Sequence, residues 1–113
     1  MTSAIDSTLN ALADPTRRGI VERLSRRPHR AGELAKAFAM SAPAISRHLR
    51  VLRSRGLIED QRVERDARLR VFRLRREPFT DLATWLADVE KFWNEQLDSF
   101  RAHVSKRKRG SQS

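Results

Sequence analysis

The chain has no cysteine, which excludes disulfides, thiolate metal sites and a thiol nucleophile. No apolar run approaches the roughly 20 residues that span a bilayer, so no membrane partner is expected. The first residues, Met1-Thr-Ser-Ala-Ile-Asp6, lack the basic-then-apolar pattern of a secretory signal and predict a cytoplasmic protein. Histidine is scarce: His29, His48 and His103 are separated along the chain. No Ser/His/Asp order, glycine-rich phosphate loop or paired carboxylates accompany them, so the residues do not point to an enzyme or to a cofactor. At 113 residues there is material for one modest core but not for two. No internal repeat is present.

What is abundant is arginine. Basic side chains number 24 against 14 acidic ones, a net charge of +10, and 20 of the 24 are Arg. The excess is uneven. Residues 1–76 hold 18 basic and 8 acidic side chains, residues 77–105 hold 2 and 6, and Lys106-Arg-Lys-Arg109 adds four cations. A basic surface beside an acidic one is the electrostatic footprint of a phosphate binder, although an arginine-favouring composition alone produces a solvated basic face.

Apolar spacing predicts four short helices. Ile5–Ala13 carries Ile5, Leu9 and Leu12 on one side; Asp14-Pro-Thr16 breaks the chain and restarts it over Thr16–Ser25, with Ile20, Val21 and Leu24 inward. Arg26–Arg30 is a loop with room for a very short strand. Gly32–Ala39 is a third helix with Leu34, Ala35 and Phe38 inward, and Ala39-Met-Ser41 is a tight turn. In the fourth helix, Ala42–Arg55, Ile45, Leu49 and Leu52 recur at i, i+4 and i+7. Ser41 caps its start, Pro43 is tolerated in the first turn and Gly56 stops it. Leu57–Val63 and Arg68–Leu74 alternate with period two around Glu64-Arg-Asp-Ala67, the pattern of a hairpin, with Phe72 and Leu74 in the core. The fold class is therefore mainly α with a small β-hairpin.

A helix that buries one stripe and offers hydroxyls and guanidiniums on the other, at the head of a basic hairpin, is what a winged helix-turn-helix places in a DNA major groove. Arg47 and Arg50 are the leading candidates for base contacts, since bidentate Arg–guanine pairing is the commonest specific contact. Ser41 and Ser46 are short enough to bond phosphate or base at close approach. Ala42 and Ala44 suit thymine methyls or readout of shape. On the wing, Arg65 and Arg68 flank the tip and are expected to reach phosphate or a narrow minor groove, with Asp66 between them. His48 reads as structural. Arg53 and Arg55 are either solvated or paired with Glu59 or Asp60, and Arg17, Arg18 and Lys36 are weak candidates for backbone contact.

The remainder, from about Phe79 to Ser105, is one amphipathic helix entered through Pro78. Phe79, Leu82, Leu86, Val89, Trp93, Leu97, Phe100 and Val104 form a heptad-like seam, widened by Trp85 and Phe92. So small a domain cannot easily cover that surface, which argues for a partner helix from a second copy. Leu82, Leu86, Val89, Trp93 and Phe100 are the expected dimer contacts. Residues 1–105 are expected to form the domain, with 106–113 a basic, disordered tail.

Four motifs, Ala11-Leu-Ala-Asp-Pro-Thr-Arg-Arg18, Gly32-Glu-Leu-Ala35, Ser41-x-Pro-x-Ile-Ser-Arg-His-Leu49 and Leu52-Arg-x-x-Gly-Leu57, closely resemble the ArsR-type (ArsR/SmtB) winged-helix repressors in order and spacing, over about residues 5–105. The resemblance implies a bacterial transcription factor, dimeric through its first and last helices. Its fourth helix would enter the major groove of double-stranded DNA, and its wing would touch the backbone or minor groove. The Cys-x-Cys positions of the family's thiolate sensors fall on Arg30 and Gly32. The interhelical metal site of other members is echoed by Asp88-x-Glu90 and His103, but Lys106 stands where its second distal ligand belongs. The opening Asp-Pro-Thr-Arg-Arg and the Phe92-Trp93 pair look more like the metal-independent branch. An organic effector bound near Trp85 and Phe92 is one way such a protein could be regulated. The alternative function is a winged-helix module that binds RNA or protein; a MarR-like regulator usually needs a longer chain.

Overall fold

Short polar residues cap three of the helices. In the computed structural model, which describes residues 3–63 and 65–111 and, for 66–68 and 108–111, the backbone alone, α1 spans Ala4–Leu12. Ser3 caps it: its Oγ accepts from Asp6 N at 3.1 Å and its own N–H donates to Asp6 Oδ2 at 3.2 Å. Asp14 accepts from Arg17 N at 2.9 Å and opens α2, Pro15–Arg26, with Pro15 in its first turn. A two-residue strand, β1 (His29–Arg30), leads into α3 (Ala31–Ala37). Ser41 Oγ accepts from Ala44 N at 3.3 Å at the head of α4, Ala42–Ser54.

The turn between α3 and α4 ends the third helix two residues earlier than expected. Ala39 takes φ 52°, in the left-handed region that glycine usually fills. Ala39 N donates to Lys36 O at 3.3 Å and Met40 N to Ala35 O at 2.9 Å, the pair of bonds that closes a helix C-terminus. The same pair recurs after α4, from Gly56 to Arg53 O and from Leu57 to Leu52 O, there with a glycine at φ 78°. No local signal in Ala39 announces its conformation.

Strands β2 (Ile58–Val63) and β3 (Asp66–Leu74) form the hairpin, and β1 adds to the other edge of β3, giving an antiparallel sheet of order β1-β3-β2. The register pairs His29 with Phe72 and Asp60 with Phe72 across the two ladders, with an irregularity at Arg62/Val63. The core comprises Ala11, Ile20, Leu24, Leu34, Ile45, Leu49, Leu52, Leu57, Ile58 and Phe72, with Leu74 and Phe79 packed against it. On α1 the expected stripe is not the buried one. Thr8 and Ala11 go inside, while Leu9 stays 42% exposed. Thr8 is accommodated because its hydroxyl donates to Ala4 O at 3.0 Å, so no polar group is stranded.

The last helix, α5, runs Glu77–Ser111. At 1.5 Å per residue its length is about 50 Å. The chain divides into two units, Met1–Asp81 and Leu82–Ser113. The second unit is a helix with Trp85, Leu86, Val89, Phe92, Trp93 and Phe100 exposed, the last at 64%; Leu82 is half-buried. The helix also continues through residues 106–111, which composition assigns to a disordered tail. Lys and Arg are good helix formers, and cations at a helix C-terminus are favoured by its dipole.

Candidate nucleic-acid interface

Helix α4 meets the core with Ile45, Leu49 and Leu52, all at most 3% exposed. The 3.6-residue period then carries Ser46, Arg47 and Arg50 to solvent, along with Ser41 and Ala42 at the head; Ala44 is half-buried. The Ser41 oxygen is committed to capping, which leaves its O–H free to donate. His48, half-buried, places Nδ1 3.8 Å from Asp14 Oδ2 and ties α4 to the cap of α2, the structural role its position suggested. The Asp14 carboxyl is held below its ordinary value by the Arg17 N–H, with the charges of His48 and Arg17 adding to that and burial opposing it.

The flanking basic residues sort differently from expectation. Arg17 Nε donates to Ala11 O at 2.6 Å, and Arg18 donates to Leu12 O at 2.8 Å and Ala13 O at 3.2 Å. Both guanidiniums cap the C-terminus of α1, where carbonyls lack helical partners and the dipole favours cations. Their place five or six residues after those carbonyls, beyond the Asp-Pro break, is the available signal. Arg53 pairs with Asp60 at 3.1 Å and Arg73 with Glu59 at 2.6 Å. From sequence alone, Asp60 is one of two candidate partners for Arg53.

Ser46, Arg50, Arg53 and Arg70 come together around a cleft of about 280 Å³, floored by Leu49 and Phe72, between α4 and β3. A second cleft of about 610 Å³ adds Arg30 of β1 and Glu33 and Lys36 of α3. Glu33 is held below the usual carboxylate range by the Arg30 N–H and the Arg27 guanidinium. Arg65 is exposed in the hairpin turn. Glu64 and the side chains of Asp66 and Arg68 lie outside the described residues. Among the described residues no group of three or more His, Cys, Asp or Glu is placed to hold a metal ion. No helix among them is long and apolar enough to cross a membrane.

Helices α3 and α4 joined by a tight turn, with a basic hairpin after the second, define a winged helix-turn-helix DNA-binding protein. The chain belongs to the ArsR family: a model described as bacterial regulatory protein, arsR family, matches residues 14–60, and a relative matches along most of its length. That relative is the HTH-type transcriptional regulator Rv2034 of Mycobacterium tuberculosis, 41% identical over 84% of this chain and 83% of its own. The transcriptional repressor SdpR of Bacillus subtilis is 38% identical over 51% of this chain and 64% of its own. Among solved structures, an ArsR family transcriptional regulator, RHA00566, aligns with a TM-score of 0.72 and 37% identity, covering 81% of this chain and 98% of that one. The protein is thus a DNA-binding transcriptional regulator, of a family that is not enzymatic.

Proposed function

We propose that the protein is a cytoplasmic repressor that binds an inverted-repeat operator as a homodimer. One observation carries this reading: α4 buries its apolar stripe and turns Ser46, Arg47 and Arg50 to solvent beside a basic hairpin. Arg47 and Arg50 contact base edges. Ser41 and Ser46 bond phosphate or base, Ala42 and Ala44 suit thymine methyls or readout of shape, and Arg65 and Arg68 of the wing reach phosphate or a narrow minor groove. The exposed apolar face of α5 supports dimerisation through Leu82, Leu86, Val89, Trp93 and Phe100, with α1 alongside. Two copies of α4 then meet half-sites about one helical turn apart. A relative that is named a repressor supports the direction of regulation. Metal plays no part in the switch; an organic ligand near Trp85 and Phe92 is the effector class that the aromatic surface suits.

Footprinting on the DNA upstream of the protein's own gene tests the proposal. Arg47→Ala or Arg50→Ala is expected to erode discrimination between operator and random duplex by about 1–3 kcal/mol each, and Arg65→Ala to weaken both nearly equally. Operator preference unchanged in both reader-helix variants, or a wild-type monomer in sedimentation, would overturn it.

A further inference from the structure

Asp60 is an acid on the core-facing side of the sheet. It lies opposite Phe72 in the β2–β3 ladder, so it shares a face with that buried ring, and Arg70 is its diagonal neighbour. An ionised carboxylate in that position needs partners. Asp60 Oδ1 accepts from Arg53, at the end of α4, at 3.1 Å, and Oδ2 lies 3.7 Å from Arg70 Nε on β3. The carboxylate is 20% exposed, whereas Arg53 and Arg70 remain 54% and 48% exposed. The neighbouring acid does not compete for them, because Glu59 is engaged by Arg73. Both arginines line the cleft that also holds Ser46 and Arg50.

We infer that Asp60 is a positioning residue that sets DNA specificity by clasping Arg53 of the reader helix to Arg70 of the wing strand. The clasp fixes the hairpin's angle to α4 and neutralises part of the charge beside the reading face. Unclasped guanidiniums there would grip any phosphate and add affinity that carries no sequence information. Pinned ones orient the reader without that contribution. The inference rests on the reading of α4 and the hairpin as the DNA-contacting surface.

The test is the salt dependence of binding by full-length Asp60→Asn, on the upstream DNA and on a random duplex. The variant is expected to bind random duplex about tenfold more tightly at low salt, with a log–log slope steeper by about 1–2, since each phosphate neutralised adds roughly 0.9. The operator complex gains the same phosphate contacts but loses the reader's fixed orientation, so its affinity rises less and the operator-to-random ratio falls. Arg53→Gln with Arg70→Gln is expected to leave the slope of the wild type nearly unchanged but to abolish the gain in the Asp60→Asn background. An unaltered slope in Asp60→Asn overturns the inference, as does equal weakening on both DNAs, which is what a merely structural joint would give. The readings fail separately. A wild-type protein without salt-sensitive duplex binding refutes the DNA-contacting surface itself, whereas a binding wild type with an indifferent Asp60→Asn refutes only the clasp.

Discussion

Trp93→Ala tests the α5 interface most directly, because Trp93 is 61% exposed in the single chain and its loss removes little from the core. A tryptophan presents about 250 Å², so the area open to a partner is about 150 Å². At about 25 cal/mol/Å² this corresponds to nearly 4 kcal/mol if fully covered. Incomplete coverage and the area retained by alanine reduce it to about 1.5–3 kcal/mol per copy, which is the usual range for a large side chain. A two-fold dimer loses the contribution twice, so the dissociation constant is expected to rise by about 10²–10⁴. Sedimentation velocity over nanomolar to micromolar protein reads this shift, and circular dichroism checks that helix content is kept. Phe100→Ala, at 64% exposure, provides a second reading of the same face. A wild-type dimer whose dissociation constant moves less than about threefold in both variants would refute the placement of the interface.

Three further outcomes are expected. Ala39→Gly removes a left-handed alanine at φ 52°, which costs roughly 1 kcal/mol, so thermal unfolding should rise by a few degrees; no rise would mean that the turn relaxes at no cost. Asp14→Ala removes the α2 cap and should destabilise by about 1 kcal/mol at neutral pH. Because the folded protein holds the Asp14 carboxyl below 3.8, that contribution is present above this value and is lost as pH falls through the lower folded one. The gap between wild type and variant in pH-dependent melting should therefore close in acid, and a constant gap would assign the loss to packing. Zinc titrated into the protein–operator complex should leave DNA affinity unchanged, as judged by fluorescence anisotropy with a chelator control; stoichiometric release would redirect attention to Asp88, Glu90 and His103.

The parts of this fold that sequence made legible are those governed by local rules. Ser41 caps α4 because its side chain reaches an N–H three residues on, and the i, i+4, i+7 stripe of α4 needs only helical geometry to predict what it buries. What stayed hidden depends on where the chain returns in space. Ala39 is left-handed because α3 must stop for α4 to begin, and the closing hydrogen bonds override its intrinsic preference. Thr8 displaces Leu9 from the core because a back-bonded hydroxyl is tolerated there.

The basic residues carry the same lesson into function. Composition presents 18 cations over residues 1–76 as one phosphate-binding surface. In the structure Arg17 and Arg18 bond the carbonyls that end a helix, and Arg53, Arg70 and Arg73 pair with acids. Most of these pairs are solvated and worth little as stability. On the proposed reading, their weight lies in the charges they remove from indiscriminate contact. Net charge therefore overstates how many of these cations are uncommitted, and on the proposed reading it is the exposed Arg47 and Arg50 of α4 that carry recognition.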